Sequence, residues 1–129
     1  MPLLLDTCIQ YWLIDGQTKL TAKALEAIQT ARGELYVSTV SAFEVAMNHS
    51  KGRVPLPRPP QEWDRRTLRL YRVRSKPVTT RIALRSVSLP EHHKDPFDRL
   101  ILATAAIHRM PVVTSDRHLP SYTDVTTIW

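Results

Sequence analysis

The chain has 129 residues and is 43% apolar, the size and make-up of one globular domain with a real core and too short for two. No apolar run approaches the roughly 20 residues needed to span a bilayer, and Met1-Pro2-Leu3-Leu4-Leu5 lacks the basic stretch that opens a signal peptide, so a cytoplasmic protein with no membrane segment is expected. The net charge of +6 suits a polyanionic partner such as nucleic acid, and a single cysteine, Cys8, excludes an internal disulfide and a thiolate zinc site.

Leu3-Leu4-Leu5 reads as a short buried strand closed by the turn-prone pair Asp6-Thr7. A helix is expected from about Ile9 to Gly16, with Cys8 before it as a small buried hydrophobe rather than a nucleophile. Leu20, Ala24, Leu25, Ile28 and Ala31 recur at helical spacing, and Gly33 stands where a terminating glycine belongs. Residues 34–37 read as a second strand. Ser38 to Ser41 offer N-caps for a helix to about His49. A proline-rich connection, 52–60, leads to an expected helix from Gln61 to Val73, with Trp63, Leu68, Leu70, Tyr71 and Val73 as its apolar members. A short strand at 74–78 and a helix at 80–87 follow. Asp95-Pro96-Phe97-Asp98 opens a helix that is apolar on almost every side from Leu100 to Ile107, hence buried. Val112-Val113-Thr114 is a strand ending at Ser115-Asp116, and 125–128 a last one. Short apolar strands alternating with helices predict a single α/β domain whose parallel sheet is covered on both faces.

Chemistry in such a sheet gathers beyond the carboxyl ends of its strands. Asp6 and Asp116 sit at two such ends. Glu44 and Asp98 are expected in the first turns of helices opening at the same edge, so right-handed crossovers would bring four carboxylates to one rim. Carboxylates so close repel one another and take up protons unless a cation intervenes. Magnesium and manganese prefer oxygen ligands. Such an ion also activates water against a phosphodiester. Each acid has a plainer explanation as well. Asp6 and Asp116 suit turns, Glu44 completes a capping box with Ser41, and Asp95 and Asp98 suit a helix N-terminus. A non-catalytic basic module that binds nucleic acid or a partner therefore stands as the alternative. A DNA-directed nuclease is not excluded. A phosphoacceptor signalling domain is disfavoured, because 74–80 contain no Asp and Asp116 is followed by Arg117-His118. No P-loop, dinucleotide or H-E-x-x-H motif is present.

Four segments together resemble the PIN-domain family, especially the VapC-type toxins of bacterial toxin–antitoxin pairs. They are Leu3-Leu4-Leu5-Asp6-Thr7, Val40-Ser41-Ala42-Phe43-Glu44-Val45-Ala46, the run from His93 to Ala105 containing Asp95-Pro96-Phe97-Asp98-Arg99, and Val113-Thr114-Ser115-Asp116. The resemblance implies a three-layer α/β/α domain and a Mg2+- or Mn2+-dependent endoribonuclease acting on RNA. It implies Asp6, Glu44 and Asp98 as the core acids and Asp116 as the more variable fourth, all serving as metal ligands. Asp98 is preferred to Asp95 because the family's acid stands five residues before a small alanine, here Ala103. Thr7 and Thr114 match the usual hydroxyl neighbours. A homodimer and a cognate antitoxin that places a basic side chain in the acidic pocket are implied as well.

Arg65, Arg66, Arg69, Arg72, Arg74 and Lys76 form a dense basic tract. It suits RNA phosphates, or a solvated helix face. Trp63 and Tyr71 are candidates for base stacking or for core packing. Arg99 is expected beside the acids, holding a carboxylate or meeting a phosphate. His92-His93-Lys94 reads as a solvated loop.

Overall fold

Three consecutive leucines make the centre of the sheet. In the computed structural model, which describes residues 1–90, 95–119 and 125–129, β1 is Leu3–Leu5. It pairs in parallel with β2 (Leu35–Ser38) on one side and β4 (Val112–Val113) on the other. β3 (Val73–Lys76) extends the sheet beyond β2, and β5 (Thr127–Ile128) extends it beyond β4. The order is therefore β3-β2-β1-β4-β5, with every pairing parallel. The chain winds outward one way from β1 through β2 and β3, then crosses to β4 and β5. That reversal leaves a crevice beyond the carboxyl ends of β1 and β4.

Alternation along β1 divides the core. Leu3 and Leu5 face one side with Val37 and Val113, under α1 (Thr7–Asp15), α2 (Ala22–Thr30) and the inner residues of α4 (Pro60–Tyr71). Leu4 and Val112 face the other, under α5 (Thr80–Ser88), α6 (Pro96–His108) and Val40 at the start of α3 (Thr39–Ser50). Leu4 is fully buried. Truncation to alanine there costs about 2–5 kcal/mol. The α/β/α layering expected from the sequence is what forms. A 3₁₀ turn, Gln17–Lys19, joins α1 to α2. Among the described residues no helix is long and apolar enough to cross a membrane.

Several boundaries depart from expectation. α1 starts at Thr7, not near Ile9, because the Asp6 carboxylate accepts from the Thr7 N–H and caps the helix. α4 ends at Tyr71, and Val73 belongs to β3. The stop is Arg72, a non-glycine residue held at φ 54° in the left-handed region. Leu70, one of the apolar members of that helix, is 72% exposed. β5 is two residues long rather than four.

Candidate active site

Asp6 stands at the crevice, 5% exposed, directly after the central strand. Its backbone N–H donates to the Val113 carbonyl across the β1–β4 pair (3.0 Å). Its carboxylate is gripped from two sides. Oδ1 accepts from the Thr7 N–H (2.8 Å), and Oδ2 accepts from the Thr114 hydroxyl (2.7 Å). That same hydroxyl oxygen accepts from the Asp116 N–H at 3.0 Å, so one side chain aligns the residues that follow two adjacent strands. Burial pushes the Asp6 carboxyl above the usual carboxylate range. The hydrogen bonds from Thr114 and Thr7 oppose the rise, and the charges of Asp116 and Asp95 add to it.

Glu44 reaches the site from α3. The capping-box explanation for it does not hold. The N-cap is Ser38, whose hydroxyl accepts from the Val40 N–H, while Ser41 lies inside the helix. Ser41 instead meets the Thr7 hydroxyl at 2.9 Å, joining α3 to α1. Glu44 thus falls in the second turn of α3, later than expected. Burial raises its carboxyl too, hydrogen bonding by Thr7 opposes the rise, and Asp6 and Asp95 add to it. One oxygen, Oε1, is buried with no hydrogen-bond partner among the described residues.

α6 supplies Asp95 and Asp98. Asp95 is the N-cap, accepting from the Phe97 N–H at 2.9 Å, as its place before Pro96 suggested. Asp98 lies in the first helical turn. Both line the cavity, so the capping residue also contributes charge to it. Asp116 follows β4 and accepts from the His118 N–H at 2.9 Å.

The four acids singled out from the sequence therefore line one cavity of about 420 Å3, together with Asp95. Cys8 lines it as well, with its sulfur 4.0 Å from Asp6 Oδ2 and 3.8 Å from the Ser115 hydroxyl. Burial and the neighbouring Asp6 charge push the thiol up to about 12, so it stays protonated and is no nucleophile at neutral pH. Five further lining residues were not anticipated: Tyr11 and Trp12 of α1, Val45 and Asn48 of α3, and Val54. The available signal was spacing. Cys8, Tyr11 and Trp12 share one stripe of α1, and Asn48 lies one turn beyond Glu44.

Two sets of basic residues lie outside the cavity lining. Arg99 is absent from the cavity lining. Its guanidinium donates to the carbonyls of Leu89 (2.7 Å), Pro90 (3.0 Å) and Val87 (3.3 Å), tying α6 to the end of α5. Arg65, Arg66, Arg69 and Arg72 are exposed on and just after α4, outside the acidic cavity. Arg66 and Arg69 line a separate cleft with Arg58, Trp63 and Leu70. Trp63 is buried there, yet its ring meets Tyr11 at 5.9 Å, which makes the cleft and the cavity neighbours. His92-His93-Lys94 lies outside the described residues.

The PIN-domain profile matches residues 3–125, nearly the whole length. This chain belongs to the PIN domain family. It is 37% identical over 120 residues to Ribonuclease VapC22 of Mycobacterium tuberculosis (strain ATCC 25618 / H37Rv), a match covering 92% of this chain and 90% of that protein. A toxin–antitoxin complex from Klebsiella pneumoniae superposes with a TM-score of 0.68 at 25% identity, covering 97% of this chain and 96% of that one. VapBC2 from Rickettsia felis, bound to a DNA fragment from its promoter, gives 0.72 at 14% identity, with 98% and 97% covered. At that identity the likeness speaks for the fold. The five-stranded parallel sheet with helices on both faces agrees with PIN-family membership.

Proposed function

We propose that this PIN-domain chain is a divalent-metal-dependent endoribonuclease, acting in the cytoplasm as the toxin of a toxin–antitoxin pair. The observation that carries the reading is the cavity itself: Asp6, buried and braced at the end of the central strand, shares it with Glu44, Asp98 and Asp116. The relative named a ribonuclease and the solved toxin–antitoxin complex from Klebsiella pneumoniae support it.

The residues suit magnesium or manganese. All four are hard oxygen donors. Two of them, Asp6 and Glu44, are desolvated beside other acids, and Glu44 Oε1 has no hydrogen-bond partner among the described residues. Among the described residues no three ligating side chains are already gathered about a point. A magnesium ion that keeps several waters needs only one or two carboxylates, so the open arrangement is compatible with it. Asp6, Glu44, Asp98 and Asp116 would hold the ion. When bound, it supplies an activated water and offsets charge on the phosphate. The Thr114 hydroxyl and the Thr7 N–H fix the Asp6 carboxylate that would receive it. The exposed arginines of α4 attract the RNA backbone. A cognate antitoxin and a homodimer belong to the same reading.

The test is cleavage of a structured RNA by the purified chain with Mn2+ or Mg2+, then with EDTA. Cutting that needs metal and is lost in Asp6→Asn and Asp98→Asn is the expected result. A folded parent chain that neither cuts nor binds manganese would return the molecule to the non-catalytic binding module.

A further inference from the structure

The chain carries a second charged concavity, well away from the acids. From Arg65 to Pro90 the sequence holds eight basic residues and no acid. The arginines of α4 take up the first part of that stretch. The rest forms β3 and α5, and α5 packs on the face of the sheet opposite α4. Arg81, Leu84, Arg85 and Ser88 recur at helical spacing along α5. With Ile107 and Arg109 at the end of α6 they line a cleft of about 600 Å3, and none of its lining residues is an acid.

Positive charge converges there from two helices. Arg81 and Arg109 are exposed, and neither forms an ion pair among the described residues. Arg85 donates to the Ser88 hydroxyl at 3.4 Å, and that hydroxyl donates to the Arg85 carbonyl at 2.9 Å. Burial lowers the nearby His108 imidazole below its ordinary range, and the charges of Lys76 and Arg81 lower it further. Guanidinium groups cannot shed their protons. Their mutual repulsion is relieved by counter-ions or by a bound anion. A solvated helix face explains one exposed arginine. It does not explain three that line one cleft from two helices, with Leu84 and Ile107 adding apolar surface between them.

We propose that the α5–α6 cleft binds backbone phosphates of the RNA, on the layer opposite the arginines of α4, so that a chain crossing the catalytic rim is held on both sides. The inference rests on the nuclease reading and adds a second contact to its substrate. Arginine suits the task because its planar fork meets two phosphate oxygens at once. The Ser88 end of the cleft adjoins the carbonyls of Val87, Leu89 and Pro90, which hold Arg99, the neighbour of Asp98. From Asp98 to Arg109 is roughly 16 Å along α6. That is about half of one duplex turn, so one short RNA reaches both the cavity and the cleft.

The experiment uses the full chain carrying Asp98→Asn, to suppress cutting, and a fluorescein-labelled structured RNA titrated over a range of salt. Arg81→Gln with Arg109→Gln is expected to reduce the slope of log K against log salt by about 1.4–1.8, the loss of two phosphate contacts. Lys23→Gln with Arg32→Gln removes the same charge from α2 and its end, and is expected to shift the slope by less than about 0.5. An unchanged slope in the Arg81–Arg109 pair would overturn the cleft as a phosphate site. An equal fall in the α2 pair would overturn it too, by showing an effect of net charge alone. A pair that alters the sedimentation of the free chain and not the slope would assign this face to a second copy instead. If the double variant does not fold, Arg81→Gln alone decides, with an expected fall of about 0.7–0.9. If the active chain cuts no RNA, the nuclease reading fails, and the binding slopes still judge the cleft on their own.

Discussion

The acidic cavity and the arginine face of α4 touch through the Tyr11–Trp63 contact, yet they are made in opposite ways. Asp6 is 5% exposed, directly after the central strand, with each carboxylate oxygen fixed by a hydrogen bond. Arg65, Arg66, Arg69 and Arg72 are exposed on a helix surface. Chemistry at one phosphorus needs atoms fixed to fractions of an ångström, which backbone pairing in a sheet can deliver. Attraction of a polyanion needs only charge within about a Debye length, roughly 8–10 Å, and tolerates mobile side chains.

The contrast is sharpest within α6. Asp98→Asn should abolish most cutting, a loss of a hundredfold or more, beyond the 10–100-fold typical of a partner to a metal ligand. Asp95→Asn should cost only severalfold, because asparagine caps a helix about as well as aspartate. Equal losses in a side-by-side cleavage assay would erase the distinction between ligand and cap. Next comes Thr114→Val, which takes the hydroxyl from Asp6 Oδ2 and from the Asp116 N–H. Activity should fall about 10–100-fold while the chain stays folded. A valine variant with parental kcat would show that the bridge does not matter. On the basic side, Arg66→Gln with Arg69→Gln should leave kcat alone and weaken RNA binding. The slope of log K against log salt should fall by about 2. An unchanged slope would remove α4 from the RNA path.

The smallest effect is on stability, where the two regions meet. Gln10 of α1 is buried, and its amide donates to Asp64 of α4 at 3.2 Å, while its Oε1 has no partner among the described residues. Burial raises the Asp64 carboxyl, and the Gln10 hydrogen bond opposes the rise. A carboxyl raised in the folded state contributes stability that is present below its unfolded pKa and is lost as pH rises through the folded value. Asp64→Asn should therefore gain on the parent as pH climbs to 7, by a few degrees in Tm. An advantage that does not vary with pH would assign the gain to the new amide donor alone.

The middle of the sheet was legible because β1, β2 and β4 are short, mostly apolar runs closed by polar residues, and the acids after β1 and β4 followed from that. The stop at Arg72 was not legible, since nothing local marks an arginine that will adopt the left-handed conformation; the apolar pattern simply runs on to Val73. Arg99 adjoins Asp98 in sequence, but it bonds carbonyls at the end of α5, a direction set by the neighbouring helix. The aromatic lining was illegible for the same reason. Tyr11 and Trp12 look like core on α1 until α3, 34 residues away along the Thr7–Ser41 contact, is laid beside it. Glu44 was read with the wrong partner because both Ser38 and Ser41 suit an N-cap, and only the backbone chooses between them.

Asp6 follows the one strand that has two neighbours on each side. In such a sheet the ends of the order, here β3 and β5, are where transient opening starts, and the middle opens only with the whole molecule. The carboxylate at the heart of the cavity therefore outlasts any fraying of the rim. Opening confined to the β3 or β5 edge leaves Asp6 and its hydrogen bonds to Thr7 and Thr114 in place.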